Sequence, residues 1–371
     1  MTTRPDPAAQ RRAAEAFAVA GTFVAAEPYG TGHINHTFAT TFDDGGRRVR
    51  YLLQRINDTV FHRPLEVMEN IERVTAHLHA RVAALGLADV ERRVLTLVRA
   101  RDGRAFHVNG DGHVWRCYVF VEGARGYDVL ADPEQAYAGA RAFGVFQRLL
   151  ADYAGPRLHE TIPRFHDTPS RLAALERAVA DDPCNRAAGA RREIDEALSH
   201  HALAGSLLAL RDRGVLAERI THNDTKLNNV LLDDATGEGI CVVDLDTVMP
   251  GLSLYDFGDM VRTATNPVPE DHPDPAAVRV QTGMFAALAS GWLPGAGDAV
   301  SPIERAHLVT AGKLLTCECG VRFLTDHLLG DVYFRIHRPS HNLERARTQL
   351  ALLRSIEERE DELQGIVEGL G

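Results

Sequence analysis

Near Gly123 the chain changes from short strands with turn signals to long helical patterns, so it cannot be built on a single repeating architecture. Upstream, "HTFATTF" and "RRVRYLLQRI" alternate on either side of "DDGG" (43–46), which predicts a β-hairpin. A helix over about 8–20 and a strand, "TFVAAEPYG", ending at Gly30 precede them. "PLEVMENIERVTAHLHARVAAL" sets Leu65, Met68, Ile71, Val74, Leu78 and Val82 on one helical face. Two more strands flank "NGDG" (109–112), the second being the apolar "HVWRCYVFVEG". Downstream, helical patterns occupy roughly 132–151, 168–180, 191–213, 275–291, 301–329 and 340–369. One strand–loop–strand region between Arg219 and Val243 interrupts them. The expected fold is α+β: a five-stranded antiparallel sheet with one helix over 1–122, and a larger, mainly helical lobe over 123–371. Ligands favour the cleft where two such lobes meet.

Composition narrows the class further. The 371 residues are 45% hydrophobic and 25% charged, with a net charge of −10. No run approaches about 18 apolar residues, so no membrane span is expected. The N-terminal stretch lacks a signal-peptide core, which predicts a cytoplasmic protein. With this net charge and no basic stripe, nucleic acid is not expected as a main partner, and a small cationic or neutral substrate is compatible. A monomer or weak homo-oligomer is expected. Five scattered cysteines argue against a disulfide framework. Cys317-x-Cys319 resembles half a zinc site, but no second pair stands at ligand spacing, which favours buried, reduced thiols.

The chemistry-bearing stretch is "ITHNDTKLNNVLLDDATGEGICVVDLDTVMPG", Ile220 to Gly251. His222, Asp224 and Asn229 form H-x-D-x-x-x-x-N, and a strand and turn later the chain reaches Asp244 in "VVDLD". Phosphoryl transfer needs a carboxylate to orient and deprotonate a hydroxyl, and hard oxygen ligands for Mg²⁺ on the phosphates. Asp224 suits the first task; Asn229 and Asp244 suit the second. Asp246, two residues on, lies on the same side as Asp244 if the strand continues, and is a further metal candidate. His222 reads as a brace for the loop. The conspicuous "YDFGDM" (255–260) spells the magnesium triplet of protein kinases, but Asp256 comes twelve residues after Asp244, too late for that place. It reads instead as a carboxylate near a helix N-terminus, where negative charge is favoured.

The chain resembles the aminoglycoside phosphotransferase/choline kinase branch of the protein-kinase-like fold, and within it the N-acetylhexosamine 1-kinases. The likeness rests on "EPYGTGHINHTF", "YLLQRIN", "VMENIERVT", "WRCYVFVEG", "FHDTPSRL", "THNDTKLNNVLLD", "VVDLDTVMPGLSLYDFGDMVR", "LLTCECGVRFLTDHLLGDVYF" and "HNLERARTQL", which span nearly the whole chain. It implies a two-lobed kinase that uses ATP and Mg²⁺ to phosphorylate the anomeric hydroxyl of N-acetylglucosamine or N-acetylgalactosamine. It also implies Asp224 as catalytic base, Asn229 and Asp244 as metal ligands, and Asp256 as a brace for the catalytic loop.

Gly30 and Gly32 let backbone N–H groups approach phosphate; His33 is the candidate for a phosphate contact and Asn35 for a sugar contact, the other reading of each being a cap on the turn. Gln54 stands where protein kinases place the phosphate-binding Lys, and offers a hydrogen bond without charge. Arg55 points to the opposite face, while Glu69 and Glu72 read as a solvated helix face. Adenine is expected against backbone groups from Phe120 to Glu122. Glu318, Arg322 and Asp326 recur at i, i+4, i+8, either a surface ion-pair ladder or substrate contacts, with Tyr333 and Arg345 as further candidates. Alternative acceptors are an aminoglycoside, choline or homoserine; a silent nucleotide-binding pseudokinase is the non-enzymatic reading.

Overall fold

The computed structural model describes residues 4–370 apart from 31, 33 and 128–131. These residues divide into two compact units. The first gathers the chain up to Asp128 with Asp152–Pro163 and Leu231–Met249; the second holds Val129–Ala151, Arg164–Val230 and Pro250 onward.

The first unit is built on a five-stranded sheet in the order β1-β2-β3-β5-β4, with every neighbouring pair antiparallel. Its strands are β1 (Thr22–Pro28), β2 (His36–Asp44), β3 (Arg47–Arg55), β4 (His107–Val108) and β5 (Val114–Val119). The β2–β3 turn takes the two-residue form because Gly45 and Gly46 both adopt positive φ, +62° and +92°, the backbone that matches strand twist. Helix α1 (Pro7–Glu15) starts where Asp6 accepts from the Ala9 N–H at 2.7 Å with Pro7 at its first position. It ends before the expected 20, since Phe17 bridges to Ala100. Ala13, Phe17, Phe38, Phe42, Leu53, Trp115 and Cys117 form the core on this side of the sheet.

Helix α2 (Pro64–Ala84) buries Met68, Ile71, Val74, Leu78 and Val82, each worth roughly 1.5–3 kcal/mol; Leu65, expected on that face, is exposed. From α2 the buried Asn70 ties in two later segments. Its Nδ2 donates to the His159 and Val248 carbonyls, at 2.8 and 3.1 Å, and its Oδ1 accepts from the His159 N–H.

The second unit is mainly helical around the buried helix Leu308–Leu328. Leu172, Leu175, Ile194, Val321, Leu324, Leu328, Leu350 and Leu353 form its core. Helix Ser253–Ala264 approaches this central helix backbone to backbone: a Cβ on Gly258 would lie 2.4 Å from the Ala311 carbonyl oxygen. Three expected helices are each broken in two, at His200, His307 and Arg359. The 275–291 pattern begins as a short 3-10 turn, Pro275–Ala277, and becomes a helix only at Thr282–Ala296. Among the described residues no helix is long and apolar enough to cross a membrane.

Candidate active site

In the second unit, strand Arg219–Thr221 leads into a loop that ends in the 3-10 turn Leu227–Asn229. Asn223 sits in the left-handed region at φ +64°, which an Asn adopts at a smaller cost than other non-glycine residues. The fully buried Asp256 offsets that cost. Its Oδ2 accepts from the His222 N–H at 3.0 Å and its Oδ1 from the Asn223 N–H at 2.8 Å. Gln147 Nε2 also donates to Oδ2, at 2.7 Å. Thr225 closes the loop from the other end, its hydroxyl donating to the Asp256 carbonyl at 2.5 Å. His222 is buried against Phe143 and Phe146, with ring centroids 5.3 and 5.9 Å apart.

This frame fixes Asp224. Its N–H faces His222 Nδ1 at 3.4 Å, and Asn229 Nδ2 donates to its carbonyl at 2.9 Å. Lys226 Nζ lies 3.0 Å from the carboxylate. Burial pushes the Asp224 carboxyl up, but Lys226 and His222 outweigh it and hold it below the usual carboxylate range. Asp224 is therefore ionised at neutral pH, as a proton acceptor must be. Because the Asn229 nitrogen is turned to Asp224, its carbonyl oxygen is the group left for a hard cation.

On helix Leu308–Leu328 the expected charged stripe is not a surface ladder. Glu318 is buried; His166 Nδ1 lies 2.8 Å from Oε1, and the Thr168 hydroxyl donates to Oε2 at 2.6 Å. Both its oxygens are engaged, so it is a brace rather than a substrate contact. Asp326 accepts from the N–H groups of Val332, Tyr333 and Phe334 and from Asn342 Nδ2, at 2.8–3.0 Å. That carboxylate anchors the loop after the helix and likewise is not a substrate contact. Arg345 is held by the Arg335 carbonyl and Asn342. Arg322 differs. Its guanidinium lies 5.2–5.9 Å from the ring centres of Phe165, Tyr333 and Phe334 and has no hydrogen-bond acceptor among the described residues. Tyr333 is exposed.

In the first unit Gly30 has positive φ, +76°, and among the described residues nothing beyond the chain neighbours lies within 4 Å of a Cβ placed on Gly30 or Gly32. His33, the other expected phosphate contact, lies outside the described residues. Gln54 does not present its amide to a phosphate: Nε2 donates to Thr37 Oγ1 at 3.0 Å and Oε1 accepts from Arg116 Nε at 2.8 Å. These three residues face one another across β2, β3 and β5. Fully buried Arg116 also donates to Asp246, which accepts from Asn35 Nδ2 as well. The Asn35 oxygen accepts from the Asn57 N–H at 3.0 Å. Asp246 is thus the counter-ion of Arg116 rather than a metal ligand, and Asn35 bridges two protein segments rather than meeting sugar.

Asp246 left the expected side because the strand stops at Val242 and Leu245–Thr247 is a 3-10 turn. Asp244 heads that turn at φ +59° and is exposed. The Glu122 carbonyl, an expected adenine partner, accepts from Arg92 Nη2 at 3.0 Å, and its carboxylate from Arg50 Nε at 2.8 Å. Phe120 is covered by Arg50, 3.9 Å above its ring, and its N–H reaches the Arg50 carbonyl at 3.4 Å. Glu69 pairs with Arg73 and His159, and Glu72 with Arg99.

Magnesium suits what these residues offer. It takes one or two hard protein oxygens and completes its shell with phosphate and water; Asn229 on its own loop and Asp244 at the head of its own turn each carry an oxygen of that type. Among the described residues no group of three or more His, Cys, Asp or Glu side chains forms a protein cage for a metal. Cys317 and Cys319 are thiols whose pKa burial pushes up to about 12.

Sequence reasoning passed over Arg116 and His166. The signal for Arg116 was a lone charge inside the most apolar strand; a buried charge demands a partner, though sequence does not say which.

The profile of the phosphotransferase enzyme family, APH, matches residues 25–292. Among solved structures the chain is similar to an aminoglycoside phosphotransferase from Alicyclobacillus acidocaldarius, at 12% identity and a TM-score of 0.54, covering 100% of this chain and 96% of that one. A choline kinase from Cryptosporidium parvum is 13% identical with a TM-score of 0.54, over 92% and 90% of the two chains. The AMP-bound complex of a spectinomycin phosphotransferase is 11% identical with a TM-score of 0.50, over 93% of each. At these identities the likeness shows the fold, the α+β protein-kinase-like fold of the phosphotransferases. With the family profile matching well over half of its length, the chain belongs to the phosphotransferase enzyme family.

Proposed function

We propose that this chain is an ATP- and Mg²⁺-dependent kinase that phosphorylates the anomeric hydroxyl of an N-acetylhexosamine. The observation that carries phosphoryl transfer is Asp224, ionised and held on a loop clamped by Asp256. Asp224 accepts a hydrogen bond from the C1 hydroxyl, aims its oxygen at the γ-phosphorus, and takes its proton as the new O–P bond forms and the bond to ADP breaks. Asn229 and Asp244 are the proposed Mg²⁺ ligands; the ion supplies charge neutralisation on the phosphates. Gly30 and Gly32 offer backbone N–H groups to the phosphates. The AMP held by a structurally similar spectinomycin phosphotransferase supports a nucleotide as the donor.

Arg322 favours a neutral, polyhydroxylated acceptor. Its donors meet no acceptor among the described residues and its faces are packed on aromatic rings, a setting for hydroxyl or acetamido oxygens. A cationic acceptor such as choline or an aminoglycoside needs unspent carboxylates, and Glu318 and Asp326 are both committed within the protein. ADP release measured with a panel of N-acetylglucosamine, N-acetylgalactosamine, choline, homoserine and an aminoglycoside tests the reading. Turnover restricted to the hexosamines supports it; turnover with choline or an aminoglycoside and none with the sugars refutes it.

A further inference from the structure

His166 is buried between two acceptors. Its Nδ1 lies 2.8 Å from Glu318 Oε1, and its Nε2 lies 3.1 Å from the carbonyl oxygen of Asn223, the residue before Asp224. A carbonyl can only accept, so Nε2 carries a hydrogen. The second Glu318 oxygen accepts from the Thr168 hydroxyl, as a carboxylate does. With Glu318 ionised, Nδ1 must donate too, and a ring that donates from both nitrogens is an imidazolium. The groups around it fit that charge. Glu318 and Asp259 face the ring from two different helices, the rings of Phe165 and Tyr255 lie 4.5 and 4.9 Å away, and Arg322 acts on Glu318 from one helical turn on. Burial pushes His166 down, but Glu318 and Asp259 outweigh it and hold its pKa above the usual value. Burial pushes Glu318 up, but His166 and Arg322 outweigh it and hold it below.

We infer that His166, as an imidazolium paired with Glu318, is a positioning residue that fixes the Asn223–Asp224 peptide and so aims the Asp224 carboxylate. Asp256 grips the loop by its N–H groups and His166 grips it by its carbonyl. Loss of the ring proton leaves one N–H for two acceptors. With Glu318 keeping it, a nitrogen lone pair faces the Asn223 carbonyl and repels it. The loop is then free to turn, and kcat falls on the alkaline side with the titration of His166. This role rests on the proposed use of Asp224 in phosphoryl transfer.

Three readouts on the full chain test it: histidine ¹⁵N NMR against pH with His166→Asn for assignment, amide exchange of the 219–229 segment, and the kcat and KM pH profiles of wild type and Glu318→Gln. The expected results are a doubly protonated ring at neutral pH and a midpoint lowered by about one pH unit or more in Glu318→Gln. The alkaline limb of kcat moves with that midpoint while acceptor KM stays put. A neutral His166 ring at pH 7 overturns the inference. So does an alkaline limb that does not move in Glu318→Gln, or a raised acceptor KM at unchanged kcat, which would make Glu318 a substrate contact. Should the wild type phosphorylate no hydroxyl at all, the kinase reading fails separately and amide exchange decides the clamp. Protection of 222–225 that follows the ring titration supports it, and protection independent of pH refutes it.

Discussion

Asp256→Ala should unsettle the protein by a mechanism different from that of Asp244→Ala, although both remove a carboxylate from the same motif region. The Asp256 carboxylate accepts from two backbone N–H groups and one amide, all buried. Bonds to a charged acceptor contribute about 1.5–3 kcal/mol each. Burial has raised the Asp256 pKa despite the opposing His222 and its hydrogen bonds, so desolvation takes back part of that sum. Truncation leaves three orphaned donors at about 1–3 kcal/mol each and frees the strained Asn223. The expected net loss is about 4 kcal/mol, a shift of roughly a thousandfold in the unfolding equilibrium. In urea titration followed by circular dichroism, the midpoint should fall with unchanged slope. Asp244 is exposed at the head of a short turn; its loss should lower the midpoint less than the loss of Asp256 does, while Mg²⁺-dependent turnover falls by about a hundredfold or more. An unshifted midpoint in Asp256→Ala, or equal Mg²⁺-binding defects in both variants, would refute this division.

Lys226→Ala removes the nearest cation from Asp224, so the carboxyl pKa rises toward and past its usual range. The acid limb of kcat/KM should move to higher pH, and an unmoved limb contradicts the electrostatics. Arg322→Ala should raise acceptor KM by about tenfold or more with ATP KM unchanged. Arg322→Lys should not rescue it, since an ammonium lacks the planar face that stacks on the rings. Arg116→Met leaves Asp246 buried without its ion partner, at a cost of about 3–5 kcal/mol; adding Asp246→Leu should recover part of it. A single variant within 1 kcal/mol of wild type, roughly the error of such measurements, would sink that account.

The sheet was legible because its turns are chemically explicit: "DDGG" supplies two residues that accept positive φ, and the flanking strands alternate cleanly. Helix positions were legible from apolar spacing, but their breaks were not. Neither Gly nor Pro stands at His200, His307 or Arg359, so the interruptions come from packing rather than local preference. The charged stripe on Leu308–Leu328 was visible as spacing, but the partners of its carboxylates were not. That helix is buried on nearly all sides, so its carboxylates are held by groups far away in sequence, Glu318 by a residue 152 positions earlier. The same limit hid the Arg116–Asp246 pair, separated by 130 positions. Spacing within one element identifies a face; it does not identify what covers that face.

The central claim is chemical, and the position of one phosphorus atom decides it. The protein incubated with ATP, Mg²⁺ and an N-acetylhexosamine should give, by phosphorus NMR, a sugar phosphate whose signal couples to the anomeric proton, and Asp224→Ala should abolish it while still binding ATP. A phosphate on C6, or no sugar-dependent product from a folded protein that phosphorylates another acceptor, would contradict the account.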